Sequence, residues 1–297
     1  MKYAGCRIIL KYIIMKRILF LFSWLCFSIL TLSGQTDSVR PYLLTTSTEN
    51  VSLTAIDLLD PYLSPLVYTG MGVGFQHSDM KYFKKHVGQM SHESRFSILA
   101  ANTYNPQYSS SMNYVGGQYQ WGMHYYFRPL DGLRLLVGGN TGLLMAVKSN
   151  ERNVNNPVNV DAALDLGFSG IANYDFSLWR KKFTVSFQLE FPLLGMMYVP
   201  MQGASYYEMF TGGDLSNTLH FSSLHNRLAR TSGLKFEIPA KNSTWYVGVS
   251  TSKLKYEAND MFFKQNNYNF NVGYAYDLYI FRGRKNLPPA NFISVKQ

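Results

Sequence analysis

Residues 114–127 read YVGGQYQWGMHYYF and separate into two sets by parity. Val115, Gly117, Tyr119, Trp121, Met123, Tyr125 and Phe127 form one set; Tyr114, Gly116, Gln118, Gln120, Gly122, His124 and Tyr126 form the other. Successive side chains of a strand point to opposite faces, so this is a strand with one apolar face and one wet face. The pattern recurs. Leu133–Lys148 sets Leu133, Leu135, Val137, Leu143, Met145 and Val147 against Arg134, Asn140 and Lys148. Residues 160–177 set Val160, Leu164, Leu166, Phe168, Tyr174 and Phe176 against Asp161, Asp165, Asn173 and Asp175. Phe183, Val185, Phe187, Leu189 and Phe191 alternate with Thr184, Ser186, Gln188 and Glu190, and Tyr268–Ile280 alternates with Asn269, Asn271 and Asp277.

The apolar face could line a soluble core or meet lipid, and composition decides. Charged residues are 15% of the chain, against roughly 25% in soluble domains. Aromatics also reach 15%, while a mean hydropathy of −0.11 excludes a helical membrane protein. The strands run to roughly 10–18 residues, where soluble strands have a mode of about 5–6 and a tilted membrane strand needs ~9–11. Aromatics gather at strand ends, as in Tyr125–Phe127, Tyr174 with Phe176, and Tyr279 with Phe281, which is where a membrane barrel places its interfacial girdles. The expected fold is therefore all-β: an antiparallel up-and-down transmembrane β-barrel with its apolar faces in lipid. The lumen then receives Gln118, Gln120, His124, Arg134, Asp161, Asp165, Gln188, Glu190, Asn269 and Asn271, with Asn173, Lys235, Glu237 and Asp277.

Short connections at 129–132, 179–182 and 239–243 alternate with long ones at 105–113, 148–158, 199–218 and 257–266. Short turns face the periplasm and long loops the exterior in outer-membrane barrels, and both termini on the periplasmic side require an even strand count. Ten strands fit, with eight and twelve as alternatives; segment 78–93 is long for a periplasmic turn.

Lys16 and Arg17 precede an uncharged run, Ile18–Leu32, and the small residues Thr31, Ser33 and Gly34 mark a cleavage zone at its end. This is an export signal over residues 1–34, too short for a spanning helix, with Met15 as a second candidate start and an uncleaved anchor as the alternative. The barrel then occupies 35–281 and a basic periplasmic tail 282–297. Both cysteines, Cys6 and Cys26, fall in the leader. Its removal takes Lys2, Arg7, Lys11, Lys16 and Arg17, so 28 basic residues become 23 against 18 acidic ones. A net +5, partly in the tail, points to no nucleic-acid surface. The expected surroundings are outer-membrane lipid, with the barrel-assembly machinery as a partner in biogenesis.

The segments DPYLSPLVYTG (60–70), GGNTGLLMAVKSNERNVNNPVNVDAALDLGFSG (138–170), FPLLGMMYVPMQGASYYEMF (191–210) and YAYDLYIFRGRK (274–285) cover much of the mature chain. In these the chain resembles a family of uncharacterised outer-membrane barrels of the Bacteroidetes. The resemblance implies location and fold and no biochemical activity. The terminal Phe common in such barrels is absent here, and Phe281 is the candidate end of the assembly signal.

Chemistry is sparse. GGDLSNTLHFSSLHN (212–226) holds Asp214, Ser216, His220, Ser222, Ser223 and His225, and Ser222 shares a face with His220. A hydrolase would need a base touching the nucleophile and a group orienting that base, and no nucleophile motif surrounds them. The six histidines are scattered without metal-ligand spacing, so neither metal nor cofactor is expected. The glycines of GMGVG (70–74) and GGNTG (138–142) precede no helix; they fit close packing against lumen aromatics or strand bends rather than a phosphate cradle. Both charge signs in so narrow a lumen predict a plugged barrel serving as structural or binding scaffold, with a small porin as the alternative. The loop 199–218 carries Tyr206, Tyr207, Glu208 and Phe210, aromatics costly to leave exposed. They are expected to fold back as a lid whose loss opens the lumen, or to bind an external ligand.

Overall fold

The computed structural model describes residues 42–178, 181–211, 217–240, 243–278 and 292–296. The expected leader over residues 1–34, Asp214, Ser216, Phe281 and the stretch 282–291 lie outside these residues, as does the side chain of Phe210. The described residues form thirteen strands: β1 Tyr42–Leu43, β2 Thr45–Asp60, β3 Ser64–Tyr82, β4 Met90–Tyr104, β5 Ser111–Leu130, β6 Leu133–Ser149, β7 Val158–Leu178, β8 Lys181–Tyr198, β9 Leu219–Ser223, β10 Arg227–Pro239, β11 Thr244–Ala258, β12 Met261–Leu278 and β13 Phe292–Ile293. Among the described residues one short helix, α1, spans Tyr206–Thr211.

The sheet order is β10-β11-β12-β2-β3-β4-β5-β6-β7-β8-β9, and β10 also pairs with β8. The antiparallel seam between β12 and β2 runs from Lys264↔Leu59 to Leu278↔Thr45. β9 and β10 both lie antiparallel to β8 and together form one stave. The result is a closed ring of ten antiparallel staves, which removes every free sheet edge. The expected strand count holds.

Pro192 explains why one stave is split. β8 pairs with β10 up to Glu190↔Thr231 and with β9 from Leu194↔Ser223. Between them a proline can donate no ladder bond, and β7 also slips register there, from Leu166↔Leu194 to Gly167↔Pro192. Residues 224–226 bulge across the gap, with Asn226 N donating to Ser223 O at 3.1 Å.

Two connections differ from the sequence expectation. Residues 257–266 are no long loop: β11 and β12 continue to a turn at Asn259 and Asp260, whose φ values are 52° and 59°. Asn and Asp tolerate the left-handed region that such a hairpin turn demands. Segment 78–93 is mostly strand, which leaves 83–89 as the connection.

Parity sorts the side chains as expected. Val115, Tyr119, Trp121, Met123, Tyr125 and Phe127 are exposed on the outer wall, joined by Val51, Leu53, Met71, Val73, Leu164, Leu166, Val249 and Phe270. A continuous apolar exterior on a closed barrel is the surface lipid covers. Apolar side chains also cluster inside, at the two ends. Tyr62, Leu63, Tyr68, Met112, Tyr114, Met209, Tyr256, Met261 and Phe263 fill the end with the long loops. Leu43, Tyr82, Tyr126, Leu136 and Val295 fill the end with the short turns.

Candidate functional site

The loop end is organised by Asp60, where β2 ends. Its Oδ1 accepts from the backbone N–H groups of Tyr62 and Leu63 at 3.1 and 3.4 Å, which folds the DPYL turn inward. Its Oδ2 accepts from Lys148 Nζ and Asn159 Nδ2, both at 2.7 Å. Lys148 also meets Asp161 at 2.8 Å, and Tyr256 donates to Asp161 at 3.1 Å. Asp60 is 0% exposed and Lys148 4%. A lysine buried to that depth is sustainable only with paired charge, and two carboxylates supply it. β2 and β6 stand four staves apart in a ring of ten, and β7 and β11 three. These contacts therefore cross the lumen.

The segment after β8 lies over this layer. Ser205 and Glu208 form a capping box at the start of α1: Ser205 N donates to Glu208 Oε2 at 2.7 Å, and Glu208 N to Ser205 Oγ at 3.2 Å. These bonds to Ser205 hold the Glu208 carboxyl below its usual range. The helix aims Tyr206 inward, where its hydroxyl donates to Asn159 Oδ1 at 2.8 Å and accepts from Val160 N at 2.7 Å. Tyr206 meets the Tyr62 ring edge-on at 5.8 Å, and Tyr62 donates to Ala204 O at 2.9 Å. Burial, with Tyr198 and Asp60 nearby, pushes Tyr62 up to about 12, and burial raises Tyr206 as well. Met209 is 0% exposed, whereas Tyr207 is 78% exposed. Of the expected loop residues, Tyr206 closes the mouth, Glu208 caps the helix and Tyr207 faces outward.

Mid-lumen, Arg95 is the hub. From β4 it reaches Glu190 on β8 at 2.9 Å, Glu93 at 2.8 Å and Gln120 at 3.2 Å. Glu190 also accepts from Gln188 at 2.7 Å and from Ser169, whose hydroxyl lies 2.9 Å from His124 Nε2. Arg227 pairs with Asp165. Asn269 Oδ1 accepts from Thr54 at 2.8 Å and Asn271 Oδ1 from Asn50 at 3.1 Å; both amides donate to Ser250 Oγ. Glu190, Asp165, Arg227, Asn269 and Asn271 border a cavity of about 240 Å³ that Gln118 and Gln120 also line. Arg134 sits nearer the short turns, with Asp175 at 3.1 Å. There β13 runs parallel to β1, Ser294 donates to Asp277 at 3.0 Å, Arg134 donates to Val295 O at 3.4 Å and Lys296 meets Glu237 at 2.9 Å.

Arg95, Glu93 and Asp60 were not singled out from the sequence. Arg95 was readable, because RFSILA alternates and puts it opposite Phe96 and Ile98. Asp60 was not, since a turn has no parity. Within 212–226, Ser222 is buried and apart from His225, while Ser223 Oγ lies 2.5 Å from His225 Nδ1 on the exposed rim. No carboxylate among the described residues is bonded to His225. No group of three metal-binding side chains occurs among the described residues.

These features define a class: a closed transmembrane β-barrel whose lumen is crossed by side chains. The chain belongs to the DUF3316 family, described as a protein of unknown function, which it matches over residues 17–285. No curated protein matches its sequence. Among solved structures, it is similar to the outer membrane protease OmpT of Escherichia coli at 8% identity, covering 83% of this chain and 100% of that one, with a TM-score of 0.47. The transport unit of the autotransporter AIDA-I from Escherichia coli shares 10% identity over 84% and 94%, with a TM-score of 0.46. The translocator domain of autotransporter NalP from Neisseria meningitidis shares 9% over 90% and 95%, with a TM-score of 0.40.

Proposed function

We propose that this protein is an outer-membrane barrel with an occluded lumen, a scaffold that presents its loop end rather than a conduit. One observation carries the reading: ion pairs join opposite walls at two heights, Lys148 with Asp60 and Arg95 with Glu190. A solute would have to break a desolvated pair at each level. The short-turn end faces the periplasm and the 150–157 and 199–218 connections face outward. Export by the leader, assembly by the barrel-inserting machinery and a surround of outer-membrane lipid follow from that placement. Exposed Tyr108, Val154 and Tyr207 at the loop end give an external ligand its contact surface. Among the described residues no carboxylate orients the rim contact of Ser223 with His225, and the reading carries no catalytic step.

Planar-bilayer recording of the purified protein tests this. The expected trace stays at the lipid background. A steady ohmic conductance would replace the scaffold with a small porin, and a monodisperse soluble monomer without detergent would remove the barrel from the membrane altogether.

A further inference from the structure

The outer wall of β10, β11 and β12 breaks its own apolar rule near the loop end. Arg230 is directly opposite Lys253, and one outward step further along, Lys255 is directly opposite Lys264. By parity all four side chains point away from the lumen, since Arg227, Tyr256 and Phe263 are the buried neighbours. Like charges directly opposed across strands destabilise a sheet. Two such pairs on adjoining rungs concentrate that penalty. Among the described residues, none of the four cations makes an ion pair. Asp57 and Glu257 share this wall but lie beyond ion-pair distance, and they leave the group net positive.

Height on the barrel says what meets the group. On the same staves, Leu234, Val249 and Phe270, then Phe236, Val247 and Val272, are exposed, followed by the ring pair Trp245 and Tyr274 at 5.5 Å. Lys253 is eight positions from Trp245. At about 3.3 Å per residue and a tilt near 40°, that is roughly 20 Å of height. The cations thus sit at the upper border of a lipid band about 25 Å tall. Elsewhere on that border the outward positions are neutral: Val67 and Thr69 on β3, Asn102 and Tyr104 on β4, Val147 on β6, Met196 on β8. The charge is confined to one sector.

We propose that Arg230, Lys253, Lys255 and Lys264 bind the phosphate groups of a phosphorylated glycolipid in the outer leaflet. Four cations staggered across three adjacent strands at headgroup height match a headgroup bearing more than one phosphate. Aliphatic stems lie along the apolar wall while the charged ends reach the interface. The anion neutralises the opposed pairs that the protein leaves uncompensated. This rests on the outer-membrane reading above.

The test uses the full mature chain reconstituted in phosphatidylcholine vesicles carrying a bisphosphorylated glycolipid or its dephosphorylated form. Native mass spectrometry then counts the lipid retained on the protein. The wild type should retain the phosphorylated form about tenfold over the other. The combined variant Arg230→Gln, Lys253→Gln, Lys255→Gln, Lys264→Gln should lose that preference. Lys181→Gln with Lys182→Gln, at the opposite end of the barrel, should keep it. In plain phosphatidylcholine the fourfold variant should resist heat at least as well as the wild type, because its like-charge pairs are gone. Equal retention by wild type and fourfold variant, or displacement of the lipid by inorganic phosphate alone, overturns the proposal. So does failure of the fourfold variant to fold in plain lipid, which would make the cations structural. Protease protection in the vesicles reports insertion separately. A protein that inserts without lipid preference defeats this inference alone, and one that never inserts defeats the membrane reading beneath it.

Discussion

Lys148 shows what single residues do in this barrel. Its ammonium is held by Asp60 at 2.7 Å and Asp161 at 2.8 Å, and it lies over the Phe263 ring, 5.6 Å from the centroid. Lys148→Ala leaves two buried carboxylates facing each other without a cation. The expected loss is about 3–5 kcal/mol, read as a lowered urea midpoint for unfolding from lipid vesicles. A loss below ~1 kcal/mol, the worth of a surface pair, would deny that the layer is desolvated. The outer wall obeys the opposite rule. Trp121→Arg places a cation in lipid near mid-strand and should cost ~2–4 kcal/mol. Its inward neighbour Gln120 is a poor control, because it bonds Arg95 at 3.2 Å and an arginine there would meet another guanidinium. Gln118 faces the cavity instead, so Gln118→Lys should cost less than Trp121→Arg. Equal losses in the same urea titration would mean the two faces are misassigned.

At the scale of elements, α1 is held by its cap more than by its length. A six-residue helix is below the span at which helices stand alone, so the Ser205–Glu208 box and the seats of Tyr206 and Met209 fix it. Glu208 is held below its ordinary range by the bonds from Ser205. A depressed carboxyl contributes stability above the unfolded value, about 4.3, and loses it as pH falls through the folded value. Protease cleavage within 201–211 should therefore rise on acidification below that value. Glu208→Gln, which keeps an acceptor but cannot titrate, should show a flat profile; the same acid response in both would exclude the cap as its cause. The strands themselves were legible, because lipid outside and polar groups inside write parity into every stave. The SYYE box was legible as local spacing too, though it was read only as part of an aromatic loop. The Asn259–Asp260 turn and the Pro192 break were present in the residues but hidden by polar flanks, which resemble a loop. Contacts across the lumen, Asp60 with Lys148 and Arg95 with Glu190, were not legible. They join residues 88 and 95 positions apart, and parity gives direction without giving a partner.

For the whole molecule the question is how many closures stand in series. From sequence, the 199–218 loop is a lid whose loss would open the barrel. The structure sets α1 over the Lys148 layer, whose ion pairs are made by side chains of β2, β6 and β7. Below it come the Arg95 network and then the short-turn cluster, into which Val295 packs. Flow through constrictions in series is limited by the tightest, so removing the uppermost alone leaves the limit in place. Deleting 203–213 should therefore leave a folded, heat-resistant barrel with conductance at the lipid background. Asn159 and Asp60 lose the cover of Tyr206 and gain water, and the Lys148 pair weakens through solvation without leaving the lumen. A combined deletion and Lys148→Ala variant removes two closures but retains the Arg95–Glu190 span, and its conductance should stay low for the same reason. Stable single channels from the deletion alone would show that α1 is the gate and that the ion pairs beneath it part readily in water.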